Sequence, residues 1–374
     1  MSATDSNKLS HLVITCGGTG GHFYPGLAVA REFKEQGGDV LLVIGGKNAP
    51  EQSKIAAAEG IDAVVLPPMP HPGSPVKAWR FFKGAVGGWR NAARCFREFR
   101  PQAVLGMGSF AMTPVLLAAK RHRIPIFLHD GNTVIGKANR IFSRFARVVG
   151  CAYPPINADR IHSPWQLVGM PVRQALRNEA DITKEQAVAA LNSNFGAGFD
   201  PALPTLLVIG GSQGAASFNA KLPEVFKSYR GDLQIMHLSG KGKREDTEAA
   251  YRGFGGKLLL LESSEHIEWF LGAADLVFAR SGGSTLAELT LFGKPAVLIP
   301  YPYAAEDHQR RNAEWFVGIG GGRMIVDAEF SFPNASAMLD VPWEEWRKCA
   351  ESSRRAARPD AAEKMLSLIE NLIQ

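Results

Sequence analysis

Two glycine-rich turns, each closing an apolar run and opening a helix-like segment, constrain the fold of this 374-residue chain more than any other feature. The first reads Leu12-Val13-Ile14-Thr15-Cys16-Gly17-Gly18-Thr19-Gly20-Gly21-His22, the second Leu206-Leu207-Val208-Ile209-Gly210-Gly211-Ser212-Gln213-Gly214. A strand that passes through a glycine turn into a helix presents backbone N–H groups and the positive end of the helix dipole beyond the sheet edge. An offset of 193 residues lays Gly17-Gly18 on Gly210-Gly211 and Gly21 on Gly214. The duplication predicts an α/β chain of two Rossmann-like, doubly wound domains facing across a cleft, with an anionic ligand between them.

The remaining sequence continues that pattern. Apolar runs at 12–15, 40–44, 63–66, 103–105, 126–129 and 147–151 read as buried parallel strands, as do 206–209, 234–238, 257–261, 276–278 and 296–299 in the second half. Pro25 near the start and Gly37-Gly38 past the end punctuate a helix between the first two runs. The stretch 172–204 is poor in strand signals and reads as the hinge. The expected domains are 1–168, completed by a carboxyl-terminal helix at about 355–374, and 169–354. With 45% apolar and 21% charged residues the chain is globular rather than disordered.

Residues 77–100 depart from the alternation. On a helical wheel Trp79, Phe82, Val86, Trp89, Ala93 and Phe96 share one face, with Arg80, Lys83, Arg90, Arg94 and Arg97 in a stripe beside it. As far as Trp89 this is the pattern of a helix lying on an anionic membrane surface. From Asn91 onward the aromatic face reads as core and the arginines as a solvated edge, and Gly84, Gly87 and Gly88 weaken a single continuous helix. The net charge of +6 favours anionic partners without choosing among them. The opening stretch 1–10 lacks the apolar core of a signal peptide, and no apolar run reaches the roughly 20 residues that span a bilayer. Cys16, Cys95, Cys151 and Cys349 have neither metal-ligand nor redox spacing, so the expected setting is reducing and cytosolic.

The turns do not carry the usual nucleotide fingerprints. Phe23 stands where a dinucleotide motif has its third glycine, the second strand ends in Ile44-Gly45-Gly46 without an acidic residue, and no P-loop sequence occurs. His22, directly after the first turn, falls at the carboxyl end of the sheet, where an imidazole with an ordinary pKa near 6.5 can accept a proton at neutral pH. A second cluster, Arg280-Ser281-Gly282-Gly283-Ser284-Thr285-Leu286-Ala287-Glu288, turns a strand into a helix whose first-turn N–H groups can hold a diphosphate without a metal. Thr285 and Glu288 also have capping-box spacing, so Glu288 reads either as a capping partner or as an acceptor for two sugar hydroxyls. A third cluster, Glu306-Asp307-His308-Gln309, follows a strand and reads either as ligand contact or as capping of the next helix by Asp307. No Asp-x-Asp occurs, so a metal-bridged diphosphate is not indicated; no cofactor is expected.

Together these clusters, with Val168-Gly169-Met170-Pro171-Val172-Arg173 and Asn312-Ala313, resemble the MurG family of bacterial glycosyltransferases, which add N-acetylglucosamine to lipid I in peptidoglycan synthesis. The resemblance runs over nearly the whole chain and implies a GT-B fold. It implies that Ser212, Gln213 and the turn Gly283, Ser284, Thr285, Leu286, Ala287 and Glu288 hold the diphosphate and ribose of UDP-N-acetylglucosamine. Arg173 and Ser264 match positions near the nucleotide, while Asn132 and Gln309 match positions that contact the sugar. Thr19, Gly20, Gly21 and His22 would face the acceptor, and the last helix would return to the first domain.

The chain departs from the family at His129-Asp130-Gly131-Asn132 (His-Glu-Gln-Asn in the family), at Gly108-Ser109-Phe110 (Gly-Gly-Tyr) and at Ser263-Ser264, an aromatic-aliphatic pair elsewhere. Met69-Pro70-His71-Pro72-Gly73-Ser74 replaces a basic loop. The expected reaction is direct displacement with inversion, with His22 or Asp130 as base and Arg173 or Arg280 beside the leaving UDP. The expected partners are UDP-N-acetylglucosamine, undecaprenyl-linked muramyl-pentapeptide and the anionic cytoplasmic face of the inner membrane, with no nucleic acid. A GT-B enzyme with another lipid acceptor and a non-catalytic UDP-sugar-binding homologue stay open.

Overall fold

Every apolar run named above becomes a strand; the central ones are buried on both faces, the condition under which a parallel sheet forms, whereas the edge strand at 62–65 is only partly covered. The computed structural model describes residues 8–69, 75–211 and 213–373, with backbone only at 75–78, 80 and 81. The strands are β1 (His11–Gly17), β2 (Asp39–Gly45), β3 (Asp62–Val65), β4 (Ala103–Gly106), β5 (Ile126–Asp130), β6 (Ala146–Cys151), β7 (Trp165–Leu167), β8 (Thr205–Ile209), β9 (Gln234–Leu238), β10 (Lys257–Leu261), β11 (Leu276–Ala279), β12 (Ala296–Leu298) and β13 (Gly322–Met324).

Among the described residues these form two parallel sheets, ordered β3-β2-β1-β4-β5-β6-β7 and β10-β9-β8-β11-β12-β13. Each is the doubly wound order in which the chain starts centrally, works outward and then crosses to the other side. The glycine turns follow β1 and β8, the two strands at which that reversal occurs. β7 and β13 had no sequence signal: both are three-residue edge strands, one carrying Trp165 and Gln166, the other Gly322 and Arg323.

The chain divides into two compact units, residues 1–173 with 359–374, and residues 174–358. In the first, alternate residues of each strand feed opposite faces. Leu12, Ile14 and Cys16 pack with Phe23, Leu27 and Phe33 of the helix Gly20–Glu35 and with Met365, Leu366 and Ile369 of the last helix, Ala361–Leu372. Val13, Leu41 and Val104 pack on the other face against Cys95, Phe96, Val115 and Leu116. Gly150 makes room for the last helix, since a Cβ there would lie 2.6 Å from the Met365 sulfur.

Two expectations are corrected. Residues 174–204 are not a hinge but part of the second unit, with helices at Gln174–Asn178 and Lys184–Phe195. Local signals existed: Thr183 and Gln186 form a reciprocal capping box, and Gly196 ends the second helix in the left-handed conformation. Secondly, Pro75–Phe99 is one helix despite its glycines. Gly84 and Gly88 sit where a Cβ would be 2.6 Å from the Pro68 carbonyl and 3.1 Å from Pro114, so close packing recovers their cost in helix propensity.

Candidate active site

In the first unit the turn after β1 has φ of +113° at Gly17 and +85° at Gly18, and Gly46 after β2 has +103°. A Cβ at Gly17 would lie 2.3 Å from the Gly45 carbonyl, and one at Gly46 2.7 Å from Gly18 Cα. Only glycine allows the ends of β1 and β2 to press together in this way. The helix then starts at Gly20 with Thr19 as an extended N-cap whose side chain makes no capping bond. The tight helix–strand packing expected of a third glycine is supplied by Gly26, three residues beyond the buried Phe23: a Cβ there would be 3.0 Å from Cys16 Cβ.

His22 occupies the first turn of this helix, half-buried, and its Nδ1 donates to the Met107 carbonyl at 2.9 Å. A carbonyl only accepts, so Nδ1 carries the proton and Nε2 is the basic nitrogen. Gly108, at φ +87°, leaves room for the ring, because a Cβ there would be 3.0 Å from the imidazole. Beneath it His129 is buried, donates Nε2–H to the Gly169 carbonyl at 2.9 Å, and is pushed down to about 4, first by burial and then by the neighbouring His22 charge.

Asp130 is also buried, and both its oxygens are engaged. Oδ1 accepts from the Asn132 N–H at 3.1 Å; Oδ2 accepts from Gly136 N–H at 2.8 Å and Asn139 Nδ2 at 2.9 Å. The carboxylate expected as an alternative base therefore organises the 130–136 loop. Asn139 also donates to the His129 carbonyl at 2.9 Å, and its own Oδ1 is buried without a partner. Arg173 lies with its guanidinium 5.1 Å over the Tyr24 ring, beside Gly20.

In the second unit the helix Ala216–Lys227 follows the turn Gly210–Gly214. Gly214, at φ +66°, is obligatory: a Cβ would lie 2.1 Å from the Ser239 carbonyl. Ser212 lies outside the described residues; Gln213 is exposed and its carbonyl accepts from Lys243 Nζ at 2.8 Å. Ser264, in the loop after β10, accepts the His266 N–H at 3.1 Å.

The helix after β11 runs from Gly283 to Leu291 with Gly282 as N-cap and no side-chain capping bond. It starts two residues before Thr285, so the Thr285–Glu288 capping box does not form; local spacing matched the motif but the turn geometry did not. Ser284 Oγ is buried without a partner at this amino end. Leu286 turns its side chain into the core and gives its N–H to the Gly282 carbonyl, while Thr285, Ala287 and Glu288 are half-buried. Ser281 Oγ donates to the Gln309 carbonyl at 2.7 Å and Asn312 Nδ2 to the Ser281 carbonyl at 3.0 Å, which brings Gln309 to the same turn. Gln309 Oε1 accepts the Tyr301 N–H at 2.9 Å, turning its NH2 outward as a donor. Asp307 stands at the N-cap position of the helix His308–Gly318 but makes no capping bond, and both it and Glu306 have left-handed φ, +54° and +53°.

Arg280 directly follows β11. It is buried, and its Nη1 donates to the Ile299 and Pro300 carbonyls at 2.9 Å and to Asp327 at 2.8 Å, while Nη2 donates to Ser217 Oγ at 3.0 Å. Phe218 and Tyr301 flank the guanidinium at 4.8 and 5.7 Å. Paired with Asp327, it ties the loop after β12 to the helix Ala216–Lys227. Among the described residues no group of three or more His, Cys, Asp or Glu is placed to hold a metal ion.

Two doubly wound units with glycine turns at the carboxyl ends of their central strands are the architecture of the GT-B class. The sequence matches the glycosyltransferase family 28 N-terminal domain over residues 12–151 and the C-terminal domain of that family over 205–365. It is similar to proteins named UDP-N-acetylglucosamine–N-acetylmuramyl-(pentapeptide) pyrophosphoryl-undecaprenol N-acetylglucosamine transferase. That from Geobacter sulfurreducens is 34% identical over 94% of this chain and 96% of its own length, and that from Halothermothrix orenii 30% over 96% and 98%. The crystal structure of Acinetobacter baumannii MurG has the same fold, with a TM-score of 0.76 over 97% of this chain and 99% of that one, at 24% identity. The chain belongs to the MurG family.

Proposed function

We propose that the protein transfers N-acetylglucosamine from UDP-N-acetylglucosamine to undecaprenyl-pyrophosphoryl-muramyl-pentapeptide, forming lipid II, with inversion at the anomeric carbon. The observation that carries this reading is the Ser284 hydroxyl, buried without a partner at the start of a helix whose N-cap is glycine. Glycine has no side chain to occupy the amino end, so the turn is suited to an anion, and Ser284 has a hydrogen bond to give it. The activity for which relatives spanning both units are named supports the same reading.

In this mechanism the second unit holds the donor. The turn after β8, including Ser212 and Gln213, and the amino end of the helix Gly283–Leu291 (Gly283, Ser284 and Thr285) bind the diphosphate. Glu288 accepts from ribose hydroxyls, Gln309 donates through its NH2 to the sugar, and Ser264 lies at the nucleobase. The first unit holds the acceptor pyrophosphate at Thr19, Gly20 and Gly21, with Asn132 and Arg173 nearby. The acceptor hydroxyl oxygen attacks the anomeric carbon, the bond to the UDP oxygen breaks, and the hydroxyl proton passes to His22 Nε2. Charge growing on the leaving diphosphate is met by fixed N–H dipoles that need no reorganisation.

His22→Ala tests the base. With UDP release measured from UDP-N-acetylglucosamine and lipid I, kcat falls about 100-fold or more; a fall under about tenfold, roughly 1.4 kcal/mol, overturns proton transfer by this residue. No UDP release by the wild-type protein overturns the function itself.

Membrane attachment belongs to the same proposal: the enzyme works peripherally at the anionic cytoplasmic face of the inner membrane. No helix among the described residues is long and apolar enough to cross a membrane. On the helix Pro75–Phe99 the aromatic face is exposed at Trp79 (62%), Phe82 (68%) and Trp89 (36%), then buried at Ala93 and Phe96. Lys83 Nζ lies 5.2 Å from the Trp79 ring centre. The adjacent helix, Thr113–His122, exposes Leu117 and places Lys120 against the half-exposed Phe145 ring. Exposed aromatics beside lysines suit a surface of apolar chains under anionic headgroups.

A further inference from the structure

Beneath the second glycine turn lies a buried polar chain that the proposed mechanism does not use. His237 on β9 is fully buried, with Nε2 3.0 Å from Asn219 Oδ1 and Nδ1 2.9 Å from the Tyr251 hydroxyl. Asn219, in the helix Ala216–Lys227, donates its NH2 to the Ser239 carbonyl at 3.0 Å. With that NH2 committed, its oxygen faces the imidazole, so Nε2 carries the proton and Nδ1 accepts from the phenol. The bonds run in one sense: Tyr251 O–H to His237, His237 N–H to Asn219, Asn219 N–H to Ser239 O. Burial pushes His237 down to about 3 and Tyr251 well up, so neither group ionises near neutrality and the sense is kept.

The chain ends on the carbonyl against which the glycine turn packs. A Cβ at Gly214 would lie 2.1 Å from Ser239 O, and one at Gly240 would lie 2.7 Å from both the Gln213 carbonyl and Gly214 Cα. Lys243 Nζ bonds the Gln213 carbonyl from the other side, and the Ser239 and Gly240 N–H groups, bonded to Leu261 and Glu262 carbonyls at 2.9 Å, anchor the turn to β10. The neighbouring Ile235 and Met236 are apolar and buried, so filling this core needs no imidazole. Directed bonds at the cost of desolvation make sense where one backbone position must be held to a few tenths of an ångström.

We propose that Tyr251, His237 and Asn219 are positioning residues for the donor, acting through the Ser239–Gly240 turn to set the placement of the Gly210–Gly214 turn. This rests on the donor site proposed above. Tyr251→Phe removes one oxygen and orphans His237 Nδ1, His237→Leu removes the whole relay, and His237→Gln restores one donor and one acceptor. In the full-length protein, Tyr251→Phe and His237→Leu are expected to raise the UDP Kd and the donor KM at least fivefold, with kcat and acceptor KM within twofold. His237→Gln brings both back to within threefold of wild type. Folded variants whose UDP Kd stays within twofold of wild type overturn the proposal, whatever their melting temperatures; if His237→Leu does not fold, Tyr251→Phe decides. If the wild-type protein binds no UDP, the donor-site reading falls, and amide exchange at Gly211, Gln213 and Gly214 decides the rest. Tenfold faster exchange in Tyr251→Phe supports positioning, and unchanged exchange refutes it.

Discussion

Arg280→Met separates a residue that builds the donor site from one that binds the donor. Methionine keeps most of the aliphatic volume between Phe218 and Tyr301 but leaves the Ile299 and Pro300 carbonyls and the Asp327 carboxylate without the guanidinium. Removing one partner of a buried ion pair costs about 3–5 kcal/mol. Asp327 keeps 28% of its side-chain surface exposed, so water recovers part of the loss and the lower end, about 3 kcal/mol, applies. For a unit spanning residues 174–358, that corresponds to a melting temperature lower by about 6–12 °C. Calorimetry gives the transition and UDP titration the Kd, which rises no more than about tenfold (~1.4 kcal/mol) through slack in the Tyr301 loop. In the double variant with Asp327→Leu the two losses are not additive, and the coupling is at least 1 kcal/mol. A melting temperature within 2 °C of wild type together with a Kd weakened more than about 100-fold (~2.7 kcal/mol) would show that the guanidinium grips the diphosphate, refuting the scaffold argument.

Two further outcomes follow from the same geometry. Trp79→Ala with Phe82→Ser removes two exposed aromatics worth together about 3 kcal/mol in a lipid interface, so binding to phosphatidylglycerol vesicles drops about 100-fold in a flotation assay; a change under threefold would sink the membrane reading. His129 and His237, depressed by burial to about 4 and about 3, stay neutral while the unfolded chain takes up protons below its ordinary histidine value near 6.5. Their stabilising contribution is therefore complete above about pH 6.5 and is lost as the pH falls toward 4, on the order of 2 kcal/mol per histidine by pH 5. Urea midpoints that stay level between pH 7 and 5 would contradict this.

What was legible in the chain was what neighbours in sequence decide. Burial on both faces writes each central strand as an apolar run, and the turns after β1 and β8 are marked by glycine because Gly17, Gly18, Gly211 and Gly214 have positive φ, a region that favours glycine. Local reading failed where it lacked the tertiary partner. Gly84 and Gly88 looked like helix breakers until Pro68 and Pro114 packed against them, and Thr285 looked like a cap until the helix was seen to begin at Gly283. The short edge strands β7 and β13 take their extended form from pairing with β6 and β12.

The candidate site divides along the same line. Its placement at the turns after β1 and β8 is legible in the sequence, since the positive φ at Gly17, Gly18, Gly211 and Gly214 is marked there by glycine. The roles of its charged groups are not. Arg280 meets Asp327 47 positions away, Asp130 meets Asn139 across a loop, and His22 takes its tautomer from a carbonyl 85 positions along the chain. Sequence alone determined where the glycine turns fall, because φ is a local property; only the tertiary structure decided which charges are paired inside the protein, because an ionic partner is chosen by proximity in space.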